Sequence, residues 1–375
     1  MNTKFDDIRP YIDAEIPEAM NRIADSELLP AIAKFVFPEK ELSEVQKLLR
    51  SFTNIYDFQV GVMFAFNQQV ISRSIENFTY SGTEYLDPAK NYLFISNHRD
   101  IVMDSSLLQL LLYYEGFRTT EITFGSNLMS SQLIIDIGRS NKMFKVMRGE
   151  NPRDFYKSSL HLSEYIRHTI TEKNESIWIA QRSGRTKDGN DATDQGILKM
   201  FCMSGGKDAV QALNTLNIVP VAISYQYEPC DFFKTRELYL SRNGAKYVKE
   251  KNEDVTSVLT GITQLKGNVH ISVCESLRQE ELQLAATEKS ANDFYKNVAS
   301  FIDHRIYSNY KLYDTNYIAH DLRSNTNTFA THYTPQSKEQ FVQRYHQILD
   351  KFDADKDIVG QIFLGIYANS VDNVK

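Results

Sequence analysis

The chain has 375 residues, 42% hydrophobic and 24% charged, the composition of a globular protein rather than a disordered one. Forty-two basic against 48 acidic residues give a net charge of -6, which argues against general nucleic-acid binding. Cys202, Cys230 and Cys274 are widely spaced, without a CxxC pair, so neither a disulfide framework nor a zinc site is expected and a reducing cytoplasm fits. The acidic start MNTKFDDIRPYIDAEIPEAM lacks the apolar core of a signal peptide. No stretch reaches the ~18 apolar residues of a spanning helix, so the chain is expected to be soluble or to sit on a membrane surface.

In chain order, residues 1–75 read as helical. Leu28–Pro38 (LLPAIAKFVFP) reads as a core helix, with a membrane-dipping segment as the alternative. Glu41–Phe52 and Ile55–Ile71 follow with helical spacing, the second placing Phe58, Val62, Phe66 and Val70 on one stripe. From residue 76 strands alternate with helices. Phe78–Ser81, Tyr92–Ser96, Glu121–Phe124, Met143–Met147, Ser176–Ala180 and Ile218–Tyr225 read as strands, and Asn268–Val273 as an edge strand. Between them Ser105–Tyr114, Gln132–Ile137, a long piece from about Arg153 to Glu172, and Lys207–Leu216 read as helices. Such alternation predicts an α/β layered fold with one main sheet. After about residue 276 the pattern is helical again, clearest in Asn292–Ile306, Lys338–Lys351 and Ile358–Tyr367, with Ser324–Gln336 as a loop.

The most informative stretch is 91–105, NYLFISNHRDIVMDS. A buried strand stops at Ser96-Asn97, and past it come His98, Arg99, Asp100 and Asp104 before a helix begins. Catalytic groups often sit where a strand hands the chain to a loop or helix at a sheet edge. Each residue also has a plain structural alternative. Asp104 stands where a helix N-cap belongs, and His98 can be a buried, hydrogen-bonded histidine.

A polar loop, QRSGRTKDGNDATDQG, follows the strand Ser176–Ala180. Its glycines let backbone approach an anion, and arginines grip phosphate by forked hydrogen bonds, so a phosphorylated substrate is one reading and a solvated surface loop the other. Several look-alikes fail. His98-Arg99-Asp100 copies the start of a kinase catalytic loop, but Ser105 stands where that loop needs asparagine. An EF-hand beginning at Asp188 would need Gly at 193 and Glu at 199, where Thr193 and Lys199 occur. No G-x-S-x-G elbow is present. His161 and His168 share a helix without an obvious third metal ligand.

Four blocks remain in order: SNHRDIVMD, MFKVMRG, IAQRSGRTKDG and NIVPVAISY. In this the sequence resembles the glycerolipid acyltransferase superfamily, the glycerol-3-phosphate and 1-acylglycerol-3-phosphate acyltransferases, over about residues 75–230. The third block looks nearest to the bacterial glycerol-phosphate branch. Two departures stand out. Five residues separate His98 from Asp104, where the family has four. Gln181, Arg182, Ser183 and Gly184 occupy the zone where the family carries a glutamate.

The resemblance implies a layered αβ acyltransferase domain with one mostly buried sheet at 76–275, flanked by a helical N-terminal segment, 1–75, and a helical C-terminal region, 276–375. It further implies transfer of a fatty acyl group from acyl-CoA or acyl-carrier protein to a hydroxyl of a glycerophosphate acceptor in phospholipid synthesis. His98 would be the general base and Asp104 its orienting carboxylate. Arg148, Gly184, Arg185 and Thr186 would hold the acceptor phosphate, and Pro220 would line the chain groove or serve the strand structurally. No metal or cofactor is expected beyond the acyl donor as co-substrate. The expected partners are that donor, the phosphorylated glycerol acceptor and a membrane surface, with the protein cytoplasmic or peripheral on the inner face of the membrane. Open alternatives are another lipid acceptor, and a catalytically inactive member that binds lipid or acyl-carrier protein.

Overall fold

The structure, a computed structural model, describes residues 3–147, 151–245, 247–250, 253–287 and 290–374. Its centre is a seven-stranded sheet, formed by β1 (Ile75–Ser81), β2 (Leu93–Ser96), β3 (Glu121–Gly125), β4 (Met143–Val146), β5 (Ile177–Ala180), β6 (Ile218–Tyr225) and β7 (Gly267–Val273). The order is β1-β7-β6-β2-β5-β3-β4. Strands β2 to β6 run parallel, while β7 pairs antiparallel with β6 and carries β1 with it. Both β2 and β6 are buried throughout, as continuous apolar runs covered on both faces should be. The layered α/β fold expected from the alternation is observed.

Each face carries its own core. On one face, Phe94 of β2, Trp178 of β5 and Val219, Val221 and Ile223 of β6 pack with Leu107, Leu108 and Leu111 of the helix Met103–Tyr114. On the other, Leu93, Ile95, Ile177, Ile179, Ile218 and Ala222 pack with the helices Pro152–Thr171, Gln195–Cys202 and Ala291–Ser308. The N-terminal helices enclose a third cluster, joined to the sheet through Leu133 and Ile137 of the helix Gln132–Ser140. The C-terminal helices enclose a fourth with Phe232 and Leu238 of the helix Asp231–Ser241.

The structure differs from the sequence reading in particular places. β7 is not an edge strand; β1 lies outside it. The stripe Phe58, Val62, Phe66, Val70 is divided, the first pair serving the N-terminal cluster and the second the sheet, with a π-turn at Gln59–Met63 lying in between. Leu28–Pro38 turns one face inward: Leu29, Ala33 and Val36 are buried, and Phe35 packs on Phe66 with Arg73 over its ring, while Leu28, Pro30, Ala31 and Lys34 are exposed. Helices at Gln195–Cys202, Asp231–Ser241 and Glu253–Thr263 are additional to the sequence reading. No described helix is long and apolar enough to cross a membrane.

Candidate active site

Ligand sites of parallel α/β sheets lie beyond the carboxyl ends of the strands, and here the central strand β2 delivers the chain to His98 at that edge. Asn97 fixes the exit. Its side chain donates to Ile223 O at 2.9 Å and accepts from Ile223 N at 2.8 Å, extending the β2–β6 pairing beyond the last strand residue. His98 then turns so that Nδ1 meets Asp104 Oδ2 at 2.8 Å. The same carboxylate oxygen accepts the backbone N–H groups of Arg99, at 2.6 Å, and Asp100, at 3.0 Å. The other oxygen accepts the Tyr225 hydroxyl at 2.7 Å. Five intervening residues are therefore compatible with a closed His98–Asp104 pair, because the backbone turns around the carboxylate.

Asp104 is completely buried. Burial by itself would raise its pKa, but the bonds from His98, Asp100 and Tyr225, with the His98 charge, hold the carboxyl below its ordinary range. It is thus an acceptor that stays ionised. Since an ionised carboxylate only accepts, Nδ1 carries hydrogen and Nε2 of the neutral ring is left with its lone pair. Nε2 has no hydrogen-bond partner among the described residues, and the His98 side chain remains 13% exposed. Trp178 stands edge-on to the imidazole at 5.5 Å, its own indole N–H donating to Ser96.

Asp100 has a different task. Its Oδ1 accepts the N–H groups of Val102 and Met103 at 2.9 and 2.8 Å, ahead of the helix Met103–Tyr114. The capping role weighed for Asp104 thus falls to Asp100. Asp100 Oδ2 is buried without a hydrogen-bond partner among the described residues.

The glycine-rich loop after β5 lies against this turn. Gln181 N donates to Ser96 O and Thr186 N to His98 O, both at 2.8 Å. Thr186 is fully buried, its hydroxyl unpartnered among the described residues. Gly184, with φ +74°, is exposed, and a Cβ there would meet nothing within 4 Å. Gly189 is constrained: φ is +77° and a Cβ would come within 2.2 Å of Ile366 O in the last helix, Lys356–Val374. Arg185 is half-buried, and its Nη1 is buried with no hydrogen-bond partner among the described residues. Nearby, burial pushes the Cys230 thiol up and the Arg185 charge works against it.

Asp191 anchors the loop. Its Oδ2 accepts from Arg99 Nε and Nη2 at 3.0 and 2.5 Å, Asn97 Nδ2 at 3.0 Å and the Tyr310 hydroxyl at 2.5 Å. Arg99 also reaches Glu228 at 3.1 Å and Ser370 at 3.1 Å, and Lys234 bonds both Glu228 and the Arg99 carbonyl. The structure thus brings together His98, Asp104, Gly184, Arg185 and Thr186 at one sheet edge. Pro220 sits elsewhere, buried in mid-β6 opposite Ile95. Alternation along the strand puts it with Ile218 and Ala222, on the face opposite the helix Met103–Tyr114. Arg148 lies outside the described residues. Sequence reasoning missed Asn97, Asp191, Tyr225, Glu228 and Lys234; their only signal was position inside or just after the blocks, because their partners are distant in the chain.

Residues 77–224 match the model of the Acyltransferase family. No curated protein matches the chain in sequence. Among solved structures it is similar to the 1-acyl-sn-glycerophosphate (LPA) acyltransferase PlsC from Thermotoga maritima, at 12% identity and a TM-score of 0.38, over 76% of this chain and 91% of that one. The matched segment contains the strand-end histidine, its aspartate and the glycine-rich loop, so the similarity to the Acyltransferase family falls on the part of the chain that builds this site.

Proposed function

We propose that the protein transfers a fatty acyl group from a thioester, acyl-CoA or acyl-carrier protein, to a hydroxyl of a glycerophosphate acceptor. The observation that carries this reading is the His98–Asp104 pair at 2.8 Å, with Nδ1 committed to the carboxylate and Nε2 unpartnered. Nε2 accepts the proton of the acceptor hydroxyl as its oxygen attacks the thioester carbonyl carbon. The tetrahedral intermediate collapses by breaking the carbon–sulfur bond, and the imidazolium returns the proton to the leaving thiolate. Asp104, held ionised, orients the ring and stabilises the imidazolium without taking the proton. No protein nucleophile is required, because the thioester is already activated. Supporting an anionic acceptor are Arg185, whose buried Nη1 has no hydrogen-bond partner among the described residues, and the open backbone at Gly184. The product of this reaction is a lipid, so the protein would work at a membrane surface.

The test is thiol release from acyl-CoA and acyl-carrier protein donors against glycerol 3-phosphate, lysophosphatidate and non-phosphorylated hydroxyl acceptors. Turnover with a phosphorylated glycerol acceptor is expected, and His98→Ala should lower it by ~10²–10⁴. Retention of more than about a tenth of the activity in that variant would remove the general-base assignment. Turnover confined to unphosphorylated acceptors would instead remove the acceptor assignment.

A further inference from the structure

Asp104 is gripped unequally. His98 Nδ1 and the Arg99 and Asp100 amides all bind Oδ2, and all belong to the same short turn as Asp104 itself. Only Oδ1 is tied to another part of the fold, through the Tyr225 hydroxyl, 121 residues further along the chain. A carboxylate held at one oxygen can swing about its Cβ–Cγ bond; pinning the second oxygen stops that. Tyr225 is suited to this because its backbone closes β6, paired with Val269 of β7, and its ring is buried in the sheet core. Its hydroxyl is therefore a fixed point.

We propose that Tyr225 is a positioning residue for acyl transfer, its hydroxyl setting the rotation of Asp104 and through it the aim of His98 Nε2. This rests on the His98–Asp104 reading above. Burial and the charges of Asp104 and Asp100 push the phenol well above its ordinary pKa, so it remains a donor and does not compete for the transferred proton. The charged groups around the pair are His98 and Asp100 from the turn and Glu228 after β6, with Lys266, before β7, acting on Asp100. The helix Glu253–Thr263 presents the uncharged Gly261 to Asp100.

The experiment compares full-length wild type, Tyr225→Phe and His98→Ala in thiol release with acyl-CoA and a hydroxyl acceptor, as full pH profiles. Losing a hydrogen bond to a charged group should lower kcat for Tyr225→Phe by on the order of tenfold or more, with both KM values within about twofold. The acidic limb of its kcat/KM profile should move to higher pH, because a carboxylate that loses a donor is more easily protonated. A variant with 3,5-difluorotyrosine at 225 keeps the shape and makes a stronger donor; its limb should move the opposite way, which keeps the test intact if Tyr225→Phe folds poorly. Wild-type kcat and an unmoved profile in these variants, with His98→Ala inactive, would overturn the Tyr225 assignment and leave the dyad standing. Activity surviving in His98→Ala would overturn the dyad, and this inference with it.

Discussion

Arg99 and Asp191, 92 residues apart in the chain, meet at 2.5 Å in the protein interior. The pair locks the turn that carries His98 to the loop that carries Gly184, Arg185 and Thr186. Burial opposes the Arg99 charge, yet Asp191, Glu228 and Tyr310 outweigh it and raise its pKa well above the usual guanidinium range. Removing one member of such a pair strands the other in a dry environment.

Asp191→Ala should therefore lower stability by about 3–5 kcal/mol, the range for breaking a buried ion pair. Denaturant unfolding of wild type and variant measures this. A loss below about 1 kcal/mol would show that Glu228 alone satisfies Arg99.

Two aspartates near His98 should respond differently to the same substitution. Asp104→Asn replaces an ionised acceptor by a neutral amide beside Nδ1, so kcat should fall by ~10² or more while the acceptor KM changes little. Asp100→Asn keeps most of a helix cap and should cost no more than about 1 kcal/mol of stability, with a smaller loss of kcat. A larger kinetic loss at Asp100 would reverse the roles read from the geometry. Gly261 adds a steric check, because a Cβ there would lie 2.2 Å from Asp100 Oδ2. Gly261→Ala should lower the melting temperature more than an ordinary glycine-to-alanine change in a helix, which usually stabilises.

Arg185→Ala should raise KM for a phosphorylated acceptor by about tenfold or more, as expected for losing a charge-assisted bond of ~1.5–3 kcal/mol. The donor KM should be less affected. Equal changes for donor and acceptor would assign the loop to the donor's phosphopantetheine or to structure alone.

Asp303 supplies a pH signature. Its carboxyl is pushed up to about 6: burial raises it, hydrogen bonds from Thr193 lower it, and the Asp191 charge raises it again. The folded state thus holds its proton more tightly than the unfolded chain. Stability from this group is fully present below about pH 4, the ordinary carboxyl range, and is lost as pH rises through about 6. Asp303→Asn should remove that fall, leaving the variant more stable than wild type at neutral pH by up to about 3 kcal/mol. Melting curves from pH 4 to 8 provide the measurement; parallel curves for both proteins would exclude this role.

Local information in the sequence was enough for the alternating strands and helices and for the position of His98. Apolar runs such as LFIS and IVPVAISY must be buried, and a buried strand must release the chain at a sheet edge, so a histidine just beyond one is placed there by chain geometry alone. The glycine-rich loop after β5 was legible for the same reason. Other features depend on contacts between distant segments, and no spacing rule encodes them. Whether Asp100 or Asp104 would face the imidazole depended on how tightly the backbone turned after β2, and that turn is held by Asn97 on β6 and Thr186 on the neighbouring loop. Pro220 was read as lining a groove or serving the strand structurally, and strand parity places it on the face opposite the helix Met103–Tyr114. Leu28–Pro38 is apolar enough for either a core or a bilayer, and only the tertiary structure shows which of its residues, Leu29, Ala33 and Val36, are buried by packing with the N-terminal helices. Asp191 and Tyr225 are marked in the sequence only by their position in or just after the blocks. Each becomes a partner of the turn that carries His98 because folding removes water from Arg99 and Asp104, and a buried charge must then find its hydrogen bonds wherever the fold supplies them.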